Sequence, residues 1–168
     1  VRNFGWPFAL PFADAVYRAI LARADEDYVA SFPVSAYHGK LERIRKLELE
    51  IMEDIDKICK ENDIKYFLVG GTLLGAARHQ GFIPWDDDMD IGMLREDYDK
   101  FRKVCPESLR SHLSYQSYID EPTSHYVFDK VRLKDTYFST KFSNRYDDIQ
   151  NGIFIDVLVF DKTANSKI

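Results

Sequence analysis

The sequence predicts an α/β or α+β domain, a small mixed sheet flanked by helices, and three observations carry that expectation. Apolar residues recur every three or four positions from Leu41 to Ile58, the period of an amphipathic helix. Met89, Ile91 and Met93 alternate with Asp88, Asp90 and Gly92, the period of a strand whose carboxylates share one face. Short continuous apolar runs at 66–69 and 153–160 have the length of buried strands. With 168 residues the chain suits one domain. Its hydrophobic share of 45% and charged share of 30% exclude a disordered tail, a collagenous chain and a coiled coil. A net charge of −5 argues against a general nucleic-acid binder and leaves room for a local cationic pocket.

Residues 1–39 mix aromatics, prolines and an Ala-rich stretch, 12–24, whose Ala15, Ala19, Ile20 and Ala22 line one side of a helix. This part reads as an extension, with the main domain over 40–168. A long helix is expected from Lys40 to Asn62, then the strand at 66–69, ended by the Gly70-Gly71 corner. Thr72 is the expected cap of a short helix through Leu73, Leu74, Ala76 and Ala77, broken by Gly81 and Pro84. After the acidic strand, Tyr98, Phe101 and Val104 mark a helix that Pro106 is expected to stop. Tyr, Val and Phe mark strands at 113–118 and 126–133.

No stretch reaches the roughly 18 to 20 apolar residues needed to cross a bilayer. The best, 4–16, is broken by Pro7, Pro11 and Asp14. Cys59 and Cys105 read as ordinary half-buried thiols, without the spacing of a disulfide framework or a zinc site. The chain starts at Val1 and stops soon after a strand-like run, so a piece of a longer protein is expected.

The chemistry concentrates in Trp85-Asp86-Asp87-Asp88-Met89-Asp90. Two carboxylates about 4 Å apart repel by roughly 4 kcal/mol at an effective dielectric near 20. A solvated acidic loop is the plain reading of such a run. Alternation with core-facing residues argues instead for carboxylates held on a rigid strand, placed to bind a hard cation such as Mg²⁺. Asp156 stands alone in the apolar run 153–159 and is costly to bury unpaired. It pairs with a Lys or Arg, or it joins Asp88 and Asp90 as the third carboxylate of a triad. Such triads hold two metal ions across an in-line phosphoryl displacement.

Other motifs fail. An EF-hand alignment from Asp86 puts Ile91 at the required glycine and Asp97 at the closing glutamate. Gly70 and Gly75 have P-loop spacing, but Ala76-Ala77 replace the Lys and Ser or Thr. The histidines at 38, 79, 112 and 125 lie in no nucleophile motif.

The segment 66–79, YFLVGGTLLGAARH, with GFIPWDDDMDI at 81–91, REDY at 95–98, KVR at 130–132 and NGIFIDV at 151–157, closely resembles the LicD family over roughly residues 40 to 162. That resemblance implies a nucleotidyltransferase-like fold and transfer of a phosphorylated alcohol from a CDP-linked donor to a glycan hydroxyl. The related fukutin group carries ribitol phosphate; bacterial members typically use CDP-choline. It implies that Gly70 and Gly71, with Thr72 beside them, form the phosphate-approaching turn. Asp88 and Asp90 become the metal-binding pair and Asp156 the third, all three catalytic, with Mg²⁺ or Mn²⁺ as cofactor. Ala77 stands where a β-branched residue is common, and Val159-Phe160-Asp161 replaces a proline-containing ending.

Physical logic runs alongside: glycines let backbone N–H groups approach a phosphate, and the helix after them aims its dipole at the same anion. Arg78, Lys130 and Arg132 are available to neutralise a diphosphate or to serve structure. Trp85 is placed to stack on cytosine, to face a trimethylammonium group, or to pack in the core. The expectation is therefore an Mg²⁺-dependent transferase of phosphocholine or a similar phospho-alcohol. Its partners are a CDP-linked donor, CDP-choline favoured, and a glycan, teichoic acid or lipopolysaccharide-type acceptor, with no nucleic acid. The expected location is cytoplasmic, with membrane association through the acceptor. Two rivals stay open: nucleotidyl transfer with release of pyrophosphate, and a non-catalytic glycan- or nucleotide-binding module.

Overall fold

The computed structural model describes residues 38–120, 126–138 and 151–162. The Ala-rich stretch at 12–24 and the rest of the expected extension lie outside the described residues, apart from His38 and Gly39 at the start of the first helix. Helix α1 (His38–Glu61) is followed by β1 (Phe67–Leu68), α2 (Gly70–His79), β2 (Met89–Leu94), α3 (Arg95–Ser108), β3 (Leu113–Gln116), β4 (Asp129–Leu133) and β5 (Phe154–Phe160). The five strands form one mixed sheet in the order β1-β2-β5-β4-β3. Strands β2 and β5 run parallel; every other neighbouring pair is antiparallel. The mixed α/β architecture expected from the sequence is present.

The period of two in β2 decides which face becomes core. Met89, Ile91 and Met93 are fully buried and stand beside Ile155, Val157 and Val159 of β5 in direct register. Helices α1 and α3 pack against one another and against this sheet, bringing Ile51, Met52, Ile55, Ile58, Tyr98 and Phe101 into the same cluster. Burying a side chain of this size contributes about 1.5–3 kcal/mol, so the aligned rows make the β2–β5 pair the centre of the fold. Cys59 and Cys105 are fully buried here rather than half-buried, and both are free.

On the opposite face, Gly92 makes room for rings from both neighbouring strands. A Cβ there would stand 2.6 Å from Phe67 and 2.7 Å from Phe160, whose ring centroids are 5.2 Å apart.

The strands expected at 113–118 and 126–133 shorten to Leu113–Gln116 and Asp129–Leu133, and two expected helix signals act differently. Helix α2 starts at Gly70, not after a Thr72 cap: Gly70 takes φ +55°, a conformation open to glycine, and turns the chain directly out of β1. Val69 is the N-cap and makes no side-chain bond. Pro106 does not stop α3, which continues to Ser108. A proline in the last turn removes one N–H, while the Leu109 N–H still reaches the Cys105 carbonyl at 3.1 Å.

Candidate active site

The parallel register of β2 with β5 sets Asp90 directly beside Asp156, and the antiparallel register of β5 with β4 sets Asp156 beside Lys130. Adding Gln116 of β3, opposite Lys130, gives one row across four strands on the face away from α1 and α3. Both readings of Asp156 therefore describe neighbours it has. Its Oδ1 accepts a hydrogen bond from Lys130 Nζ within a buried ion pair. The ammonium also lies 3.6 Å from the Phe154 ring centroid and 4.3 Å from that of Tyr126. Burial draws the Lys130 pKa down to about 8 against the pull of Asp156.

Helix α2 is tied to the same strand. The Thr72 hydroxyl, itself buried, accepts the Asp90 N–H at 2.8 Å, and the Val69 N–H reaches the Asp90 carbonyl at 3.2 Å. The glycine corner is pressed against carboxylates. A Cβ on Gly70 would stand 2.8 Å from Asp90 Oδ2, and one on Gly71 would stand 2.5 Å from Asp86 Oδ2. The N-terminal end of a helix carries unpaired N–H groups and partial positive charge, so these two acids occupy ground that favours anions.

The loop carrying Asp86 is strapped to α1. Arg45 donates from Nε and Nη2 to the Asp86 carbonyl at 3.0 and 2.7 Å, and from Nη2 to the Ile83 carbonyl at 2.6 Å. Its guanidinium also lies over the Phe82 ring, 5.1 Å from the centroid. One turn further along the helix, Glu48 is buried. Sequence reading missed both residues. The available signal was position: Glu48 falls on the apolar stripe of Leu41, Ile44, Ile51, Met52 and Ile55, where a carboxyl has no solvent to face.

The site strains under its own charge. Burial first, and then neighbouring carboxylates, pushes Asp86 up to about 6, Asp90 up to about 7 and Glu48 up to about 9. Asp88 and Asp156 are raised as well, mainly by burial. Asp86 Oδ2 and Glu48 Oε2 are buried without a hydrogen-bond partner. Among the described residues, no three or more His, Cys, Asp or Glu side chains are arranged to hold a metal ion as they stand. The donor set nevertheless suits a hard divalent cation: it is all carboxylate, packed against glycines and electrostatically under-compensated.

The remaining candidates divide. Asp88 directly precedes β2 and Asp90 lies within it. Trp85 does not pack in the core; it is 76% exposed at the head of the acidic run. Arg78 is exposed in the last turn of α2. Arg132 is buried in a structural role, donating to Gln116 Oε1 at 2.6 Å and the Gly152 carbonyl at 2.9 Å. No helix among the described residues is long and apolar enough to cross a membrane.

Comparison with known proteins shows the family of the chain. Residues 63–167 match the family model described as LicD/FKTN/FKRP, nucleotidyltransferase domain. An uncharacterized protein of Rickettsia typhi is 36% identical over 151 residues, 86% of this chain and 47% of that protein. The lipopolysaccharide cholinephosphotransferase LicD of Haemophilus influenzae is 31% identical over 117 residues, 70% of this chain and 43% of the relative. Human ribitol 5-phosphate transferase FKRP is 59% identical over 73 residues, 44% of this chain and 15% of the human protein. The chain spans about half the length of the Rickettsia relative and less of the other two. With the family model covering most of its length, the chain belongs to the LicD/FKTN/FKRP nucleotidyltransferase-domain family.

Proposed function

We propose that this chain carries the catalytic part of a transferase that moves a phosphorylated alcohol from a CDP-linked donor to a glycan hydroxyl, with CMP as the leaving product. One observation carries the reading: Asp90 and Asp156 stand side by side on the central parallel strands, with the Gly70-Gly71 corner packed on the adjoining carboxylates. Asp88, Asp90 and Asp156 would hold Mg²⁺ or Mn²⁺. Bound there, the cation supplies positive charge that favours an ionised acceptor hydroxyl and offsets charge on the diphosphate.

The chain's own groups do the rest. The first turn of α2 directs N–H groups toward a phosphate, with the Asp90 and Asp86 carboxylates packed over Gly70 and Gly71 beside it. Thr72 acts on the strand, holding Asp90 in register, rather than on the donor. Lys130 fixes the Asp156 carboxylate and adds a positive charge near Asp90. Arg78 is free of core packing and suits the diphosphate. The acceptor hydroxyl attacks phosphorus, the bond to the CMP oxygen breaks, and the hydroxyl proton leaves to solvent or to a carboxylate of the cluster.

The cargo we favour is phosphocholine, because Trp85 presents an exposed ring beside clustered carboxylates. Such a ring attracts a fixed cation by about 0.5–2 kcal/mol. Ribitol phosphate is the second reading, favoured by the 59% identity with human ribitol 5-phosphate transferase. That identity covers 44% of the chain, and both cargoes require the same metal and phosphate machinery. Incubation with Mg²⁺, a lipopolysaccharide or teichoic acid acceptor and either CDP-choline or CDP-ribitol decides between them by CMP release. Pyrophosphate release from CTP, with neither CDP-alcohol consumed, overturns the proposal in favour of nucleotidyl transfer.

A further inference from the structure

We infer that Arg45 is a positioning residue for cargo recognition: it clamps both ends of the turn at 83–86 and so presets where the Trp85 ring stands. This deepens the cargo reading above and rests on it. The Asp86 N–H reaches the Ile83 carbonyl at 2.9 Å, which closes a four-residue β-turn. Pro84 occupies its second position, where a fixed φ suits the turn. Arg45 Nη2 donates to the carbonyl that opens the turn, Ile83, at 2.6 Å, and to the one that ends it, Asp86, at 2.7 Å. Nε adds a bond to Asp86 at 3.0 Å. A planar guanidinium carries its donors in a fixed fork and loses little freedom per bond formed, so one side chain of α1 fixes both ends together.

The segment leading into the turn is held from α2 as well. The Gly81 N–H reaches the Gly75 carbonyl at 3.4 Å. A Cβ on Gly75 would stand 2.5 Å from the Gly81 carbonyl oxygen and 2.9 Å from the Ile83 nitrogen, so backbone lies directly on backbone there. Trp85 is the contrast: its ring is 76% exposed, yet it rides on a turn tied to two helices. A single exposed aromatic needs no explanation, but keeping a ring in water does not require a clamped backbone. A rigid aromatic whose place is set beforehand binds without the ordering cost that a loose one incurs. Asp86, the last residue of the turn, sets its carboxylate against Gly71, so the clamped turn stands beside the first turn of α2, toward which the donor phosphate is proposed to approach.

Two measurements on the full chain test the assignment. In a Trp6→Phe background Trp85 is the remaining tryptophan, and time-resolved fluorescence anisotropy reads its motion with no ligand present. Arg45→Met keeps an apolar stem and removes the fork; it is expected to add a nanosecond segmental component to the decay, the timescale of loop motion. An unchanged decay overturns the inference whatever the cargo. The second measurement is the ratio of affinities for CDP-choline and CDP-ribitol, titrated calorimetrically with Mg²⁺ present. Trp85→Ala is expected to lower the preference for CDP-choline about 2- to 30-fold, the worth of one cation–π contact. Arg45→Met should lower it by the same factor, and the double variant no further, because the arginine acts through the ring. Additive losses, or a parent-like ratio in Arg45→Met, overturn the inference. A ratio that Trp85→Ala leaves unmoved overturns the cargo reading itself, whereas the anisotropy judges the clamp independently of it. Should Arg45→Met fail to fold, Arg45→Lys, which keeps the charge and gives up the fork, replaces it in both measurements.

Discussion

The Thr72 hydroxyl accepts the backbone N–H of Asp90 at 2.8 Å, bonding the first turn of α2 to the strand that presents the central carboxylate. Strand β1 pairs with β2 only at Phe67 and Leu68 before the chain turns into the helix. The Asp90 N–H thus lies beyond the last paired residue of β1, and the helix supplies its acceptor. Thr72→Val keeps the volume and removes the acceptor, and leaving a buried donor unsatisfied costs about 1–3 kcal/mol. Urea unfolding should show that loss, with Thr72→Ser close to the parent. Parent-like stability in Thr72→Val would falsify the tie.

Cation binding should be visible as stabilisation. Asp88 and Asp90 are both raised by burial and by other carboxylates, so a ligand that binds only the folded chain raises its melting temperature by mass action. Mg²⁺ or Mn²⁺ is expected to produce that rise, and Asp88→Asn largely to abolish it. An undiminished metal-dependent shift in Asp88→Asn takes Asp88 out of the site.

Asp156 serves stability and chemistry together. Neutralising it leaves Lys130 buried without its carboxylate, and breaking one side of a buried pair costs about 3–5 kcal/mol. Asp156→Asn is therefore expected to lower stability as well as turnover. Adding Lys130→Met should recover part of the stability, seen in urea melts, but none of the CMP release. Recovered CMP release in the double variant shows that Asp156 matters only as a partner for Lys130.

The charge cluster also sets a pH dependence. Asp86, Asp90 and Glu48 are pushed up to about 6, 7 and 9 in the folded chain, whereas unfolded carboxyls titrate near about 4. Between those limits the folded chain holds protons that the unfolded chain has released, so metal-free stability falls as pH rises through this window. Melting temperatures in chelator should decline from about pH 5 to about pH 8, and saturating Mg²⁺ should flatten the decline by replacing protons with a cation. A metal-free melting temperature that climbs across that range contradicts the charge reading.

Local pattern made much of this legible in the sequence. The alternation of Met89, Ile91 and Met93 with acids and glycine fixed which face of β2 meets the core. The lone carboxylate in the 153–160 run marked Asp156 as special before any neighbour was known. Contacts across long sequence separation were another matter. Arg45 reaches the Asp86 carbonyl from 41 residues away, and helical periodicity gave its positive charge no target. Arg132 is spelled like a phosphate ligand but is spent on Gln116 and Gly152, partners that only the strand order brings to it. Thr72 follows a glycine pair and so looks like a cap, whereas the left-handed Gly70 starts the helix three residues sooner, with Val69 as the cap.

The family model's match begins at residue 63, after α1 has ended at Glu61, yet α1 contributes Leu49, Ile51, Met52, Ile55, Ile58 and Cys59 to the shared interior. The segment that the family model matches and the unit that holds together are thus different. A fragment cut at residue 63 would carry every motif aspartate while stripping one wall from the sheet and releasing the 83–86 loop from Arg45. Water would then reach Met89, Ile91 and Met93, and the exposed apolar face would favour self-association over folding. The motif can be copied without its preceding helix; the geometry that makes it a site cannot.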